Sequence, residues 1–178
     1  MRIGLVSDTH VPMQLAALPK ALLKGLEGVD AILHAGDLVS LAVIEQLAEI
    51  APVTAVAGNM DPPEVTAHLG SRRLVELGGR RIGLQHGHQT PALQSRYIGL
   101  PYDAPEFELF FQAIAAQLPK AEIVVFGHFH VPLVKTWRDR LFVNPGAVAP
   151  SRARSSYALL AIDGSEATVQ HFAIADDS

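Results

Sequence analysis

Seven side chains carrying oxygen or imidazole ligand atoms recur along the 178-residue chain: Asp8 and His10, Asp37, Asn59, His86, and His128 with His130. The chain has no cysteine. Disulfides, thiolate nucleophiles and sulfur-ligated metals are therefore excluded, and a metal would have to be held by His, Asp, Glu or Asn. Taken singly, these residues say little. An Asp or Asn after a strand is more often a turn or cap residue, and an isolated His is more often a satisfied structural one. The His128-Phe129-His130 spacing is sharper, because alternate residues of an extended segment point the same way and both imidazoles can face one centre. Occurring together at successive strand ends, the seven point to a divalent-metal site.

Those strand ends follow from the apolar pattern. Ile3 to Val6, Asp30 to His34, Val53 to Ala57 and Ile123 to Phe126 are short apolar runs of the kind that form buried strands, and each breaks just before candidate ligands. Open α/β sheets place their sites past such carboxyl ends. Between the strands, Leu15, Leu18, Leu22 and Leu26 predict a helix closed by Gly28. Leu41, Ile44 and Leu47 predict another behind Ser40, and Phe107 to Leu118 a third, ended by Pro119. Arg73 to Leu77 and Arg81 to Gln85 flank Gly78-Gly79 as a hairpin, with His86 at its end. The tail reads as four strands: Leu133 to Thr136, Leu141 to Val143, Ser156 to Ile162 and Thr168 to Ala173. Thr90 to Pro105 holds three prolines and no clean periodicity, so it reads as a loop beside the core. Interleaved helices and strands followed by hairpins fit an α/β sandwich of two mixed sheets with helices outside, and residues 1–178 read as a single domain.

Composition narrows the function classes. Hydrophobic residues make up 49% and charged residues 18%, with a net charge of -4, which excludes disorder and a basic nucleic-acid coat. No stretch has the apolar length of a membrane span and the start lacks a secretory signal, so a cytoplasmic location is expected.

With Asp8-Thr9-His10, Gly36-Asp37, Gly58-Asn59-Met60-Asp61, His86-Gly87 and Gly127-His128-Phe129-His130 in this order, the chain resembles the calcineurin-like metallophosphoesterases. The likeness is greatest to their small bacterial and archaeal single-domain phosphodiesterase branch. The resemblance implies a four-layer α/β/β/α sandwich. It implies that Asp8, His10 and His130 hold one ion, that Asn59, His86 and His128 hold another, and that Asp37 bridges them, with Asp37, Asn59 and His128 as catalytic residues. The implied cofactor is two divalent transition-metal ions, manganese foremost, with nickel, iron, cobalt or zinc compatible with the same ligands. A hydroxide bridging the two ions would then attack phosphorus in line, and no protein nucleophile is needed.

Met60 departs from the histidine that many relatives carry after the Asn ligand, and it cannot carry a proton. Diesters, or esters with good leaving groups, are therefore expected over unactivated monoesters. His34, Asp61 and His88 are candidates to support the ligands, and Arg96, Tyr97 and Tyr102 to line the substrate edge, although an ordinary packed loop is the simpler reading of the last three. His68 and His171 are expected at the surface, and Arg152 and Arg154 in solvent. The expected function is a metal-dependent phosphodiesterase acting on a small or nucleotide-like phosphodiester, with no extended nucleic acid, no membrane and a homodimer as possible partners. The alternative is a non-catalytic metal-binding interaction scaffold of the same fold, as in a retromer-type coat subunit, where ligand histidines are lost. Here all seven are present.

Overall fold

The structure is a computed structural model and describes residues 1–151 and 153–175. In chain order its elements are β1 (Arg2–Val6), α1 (Lys20–Gly25), β2 (Ala31–His34), α2 (Ala42–Ala48), β3 (Val53–Ala55) and α3 (Pro63–Leu69). The hairpin β4 (Arg72–Leu77) and β5 (Arg80–Gln85) follows, then α4 (Pro91–Gln94), α5 (Phe107–Gln117), β6 (Ile123–Val125), β7 (Leu133–Trp137), β8 (Arg140–Asn144), β9 (Ser156–Asp163) and β10 (Glu166–Ala173). They form two five-stranded mixed sheets, ordered β10-β9-β1-β2-β3 and β4-β5-β6-β8-β7. In the first, β1, β2 and β3 run parallel, while β9 pairs antiparallel with β1 and with β10. In the second, β5, β6 and β8 run parallel, flanked by antiparallel β4 and β7.

Alternation along the strands builds four layers. Ile3 and Leu5 of β1 face Ile82, Leu84, Ile123 and Val125 between the sheets, while Val6 and Ile32 face outward to Leu22 and Leu26 of α1, Val43 and Leu47 of α2, and Val65 and Leu69 of α3. On the far side, Val124, Phe126 and Phe142 meet Phe107, Phe110, Phe111 and Ile114 of α5. The central strands are thus buried on both faces, which is why β1, β2 and β6 read as unbroken apolar runs. This is the expected α/β sandwich, helix on sheet on sheet on helix. Among the described residues, no helix is long and apolar enough to cross a membrane.

Three local expectations need correction. The helix expected from Leu15 begins only at Lys20, because Pro19 occupies its N-cap with extended backbone and disfavours helix before it. Helix α3 was not expected. It is seven residues long, with Pro63 in its first turn and only Val65 and Leu69 buried, too short to build a periodic pattern. The segment from Thr90 to Pro105, read as a loop, contains the single-turn α4, while its Tyr97 is fully buried among the rings of Phe107 and Phe110, the packed position of the simpler reading.

Candidate metal centre

Asp8 and His10 follow β1, Asp37 follows β2, His86 follows β5, and His128 and His130 follow β6. The parallel ladders of β1 with β2 and of β5 with β6 bring these carboxyl ends to one edge of the two facing sheets. The turns are sharp. Among the described residues, seven non-glycine residues have φ between +47° and +74°, and Asp8, His10, Asp37, His128 and His130 are five of them. Left-handed backbone costs a non-glycine residue about 1 kcal/mol, so the surroundings must hold it. The Asp8 N–H donates to the Gly36 carbonyl at 3.0 Å and the His10 N–H to the Asp37 carbonyl at 3.0 Å, which ties the β1 turn to the β2 turn. The backbones also pass too close for side chains at two places. A Cβ at Gly58 would collide with Asp37 Oδ1, and one at Gly127 with Ser7 Oγ and Asp8 Oδ2.

The resulting cluster is buried and short of hydrogen bonds. His130 Nε2 lies 3.1 Å from Asp8 Oδ1, His86 Nε2 lies 3.1 Å from Asp37 Oδ2, and His10 Nε2 lies 3.9 Å and 3.8 Å from the same two oxygens. Yet Asp8 Oδ1, both ring nitrogens of His10 and His86 Nε2 are buried without a hydrogen-bond partner. Buried polar atoms left in this arrangement would be satisfied by a cation between them. Ligand atoms of Asp8, His10 and His130 lie within 4.8 Å of one another, as do those of Asp8, Asp37 and His86. The donor set of carboxylate oxygen and imidazole nitrogen suits a divalent transition metal. His86 Nδ1 donates to the Ala35 carbonyl at 2.8 Å, which leaves the Nε2 lone pair aimed at the carboxylates, the usual orientation of a metal-binding histidine. The residues therefore fit a metal.

The electrostatics agree. Burial alone would raise the Asp8 pKa, but His86, His130 and the Ser7 hydroxyl, which donates to Asp8 Oδ2 at 2.5 Å, hold it at about 2. Burial alone would lower His86, but Asp8 and Asp37 push it up to about 9. Two buried carboxylates demand positive charge, and a bound cation would supply it in place of the proton on His86.

His128 and Asn59 stand differently. The His128 ring is 5.2 Å from that of His86, but its Nε2 is 3.0 Å from Gln94 Oε1, an oxygen that also accepts the Gln89 N–H at 3.3 Å. Gln94 is thus the acceptor and His128 Nε2 the donor, and the free lone pair of His128 is at Nδ1. Burial, with His86 nearby, pushes the His128 pKa down to about 4, so it is a neutral imidazole. Asn59 lies exposed beside Met60, whose N–H donates to Asp37 Oδ1 at 2.8 Å.

The supporting candidates divide. Asp61 accepts three backbone N–H groups, from Asp37 at 3.0 Å and Gly58 at 2.7 Å on Oδ2 and from Val39 at 2.6 Å on Oδ1, so it clamps the turns after β2 and β3. His34 is fully buried. It accepts the Gly36 N–H on Nδ1 at 3.2 Å and faces the Thr9 hydroxyl with Nε2 at 3.2 Å. Burial pushes its pKa down to about 4. Stability held by neutral His34 is therefore full above pH 6.5 and is lost as pH falls toward 4, by about 3 kcal/mol. Urea unfolding of wild type and His34→Gln should accordingly converge between pH 7.5 and 4.5; a constant gap would show that His34 does not contribute this way.

The His88 ring is exposed, 5.6 Å from His86. Arg96 is exposed and does not line the cavity beside His128, whereas Tyr102 does. His68 is exposed as expected, but His171 is half-buried, with Nε2 2.7 Å from the Asn144 carbonyl. Arg154 is exposed, and Arg152 lies outside the described residues. Gln94 and Asn144 were not anticipated. Asn144 is buried and donates to the Gly127 carbonyl at 2.8 Å, which fixes the turn before His128. Its one sequence signal is that it directly precedes Pro145-Gly146.

The chain is 34% identical over 172 residues to a probable metallophosphoesterase of Methanothermobacter thermautotrophicus, covering 92% of this chain and 87% of that protein. It is 27% identical over 159 residues to a phosphodiesterase of Methanocaldococcus jannaschii, covering 82% and 83%. Its fold matches that of Vps29 from Entamoeba histolytica, solved in complex with zinc, with a TM-score of 0.77 at 27% identity over 100% of this chain and 95% of that one. The family model for the calcineurin-like phosphoesterase superfamily domain matches residues 1–165, and the chain belongs to that superfamily.

Proposed function

We propose that the protein is a metal-dependent phosphodiesterase acting on a small or nucleotide-like phosphodiester. The observation that carries this reading is the buried pair Asp8 and Asp37, ringed by histidine nitrogens at 3.1 to 3.9 Å without hydrogen bonds between them. In this reading Asp8, His10 and His130 would hold one divalent ion, His86 with Asn59 and His128 would hold a second, and Asp37 would be shared between them, with manganese the preferred metal. Bound there, such ions would supply Lewis acidity toward the phosphoryl oxygens and toward a water. The residues do the rest. Ala35 fixes the tautomer of His86, Gln94 turns His128 so that Nδ1 is its free nitrogen, and Asp61 keeps Asp37 in place.

Met60 is 44% exposed beside Asn59 and offers no proton to a departing alkoxide. Esters whose alcohol leaves unaided are favoured, and a diester carries one negative charge fewer than a monoester to be neutralised. The metal-loaded protein is expected to hydrolyse bis(p-nitrophenyl) phosphate with a kcat/KM at least about tenfold above that for p-nitrophenyl phosphate. Equal or better monoester turnover would overturn the diester preference.

A second reading, a non-catalytic metal-binding scaffold, is favoured by the similarity to Vps29, a protein named for vacuolar sorting rather than for hydrolysis. It expects bound metal with no turnover of either ester.

A further inference from the structure

We infer that the apolar cavity beside His128 and His130 receives a planar aromatic ester group of the substrate, an aryl ring or a nucleobase. This inference rests on the phosphodiesterase reading and specifies its substrate class. The cavity has a volume of about 530 Å³, and His128 and His130 form part of its wall. A substrate whose phosphoryl group lies at the candidate metal centre therefore has one ester arm within reach of it. Tyr102, Phe107 and Phe129 also line it and pack against one another with ring centroids 5.0 to 5.8 Å apart. Ile98, Leu100 and Val131 line it too, 49%, 42% and 45% exposed, together with Gly99, Pro101, Ser151 and Ala153.

What the cavity lacks decides between ester groups. No Asp, Glu, Lys or Arg lines it among the described residues, so a second phosphate, a choline-like cation or an amino-acid head would be desolvated there without a partner. The Tyr102 hydroxyl is already engaged, donating to the Val131 carbonyl at 3.1 Å and accepting from Asn144 Nδ2 at 3.1 Å, and the Ser151 hydroxyl donates to the Ala153 carbonyl at 3.1 Å and accepts the Ala153 N–H at 3.2 Å, so a polyol would find little to bond. A flat ring needs none of these. It would stack on aromatic faces and cover the exposed aliphatic side chains, and the volume suits a group of nucleoside size.

The test is calorimetric binding of phenylphosphonate and methylphosphonate to the manganese-loaded protein, compared with Ile98→Asp and Leu100→Asp, two surface substitutions outside the candidate ligands. Wild type is expected to bind the phenyl compound at least about tenfold more tightly, and each variant to bring that ratio within about threefold of one. Near-equal affinities in wild type, or a ratio that survives both substitutions, would overturn the inference. So would a concentration-dependent dimer abolished by the same substitutions, which would assign the apolar rim to a second copy of the chain. Failure here is distinct from failure of the phosphodiesterase reading. Diester turnover without the affinity ratio sinks the cavity assignment alone, and the ratio without diester turnover supports the cavity assignment while sinking the activity.

Discussion

Asp37→Asn is expected to cut diester turnover about a thousandfold or more while leaving the chain folded. Asp37 Oδ1 accepts the Met60 N–H at 2.8 Å, and an asparagine oxygen can keep that bond. Its Oδ2 is the atom 3.1 Å from His86 Nε2 and 3.8 Å from His10 Nε2, and there the substitution exchanges a charged acceptor for a neutral amide. One of the two buried carboxylates that call for cations is thereby removed, with little change in volume or backbone. Steady-state kinetics in excess metal, with circular dichroism as the check on folding, measures this. A folded variant retaining more than about a tenth of wild-type turnover would show that Asp37 is not central to the chemistry.

Asp61→Ala tests whether the turns are held from outside the ligand set. Its carboxylate accepts three N–H groups, and two of the donors, Asp37 and Val39, have φ of +56° and +74°. Removing a charged acceptor from three donors should cost about 3 kcal/mol of stability and, by releasing Asp37, about 10- to 100-fold in metal affinity. Asp61→Asn, with a single acceptor oxygen, should fall between wild type and alanine in both. Denaturant unfolding and metal titration read the two effects separately, and an alanine variant equal to wild type in both would make the clamp idle.

Much of this architecture is legible in the sequence, for a physical reason. Strands buried on both faces leave uninterrupted apolar runs, so Val6 and His34 mark strand ends, Phe126 directly follows the end of β6, and the polar residues beyond them stand out. The same argument fails for short elements. Helix α3 buries only Val65 and Leu69, and α4 is a single turn with no buried residue. It fails also for contacts between residues distant in sequence. Nothing local to Gln94 says that it meets His128, 34 residues away, or that Asn144 holds the Gly127 carbonyl. The triple clamp of Asp61 is hidden for the same reason, since Asp37 and Val39 lie 24 and 22 residues before it. His171 looks like a surface residue on an edge strand, yet its ring bonds the Asn144 carbonyl across to the other sheet.

The most direct test of the account is an anomalous-diffraction map of crystals grown with manganese, recorded near the manganese absorption edge. Two peaks roughly 3.5 to 4 Å apart are expected, one contacting Asp8, His10 and His130, the other contacting His86 together with Asn59 and His128, with Asp37 touching both. Peaks elsewhere, or none between these side chains at saturating metal, would contradict it.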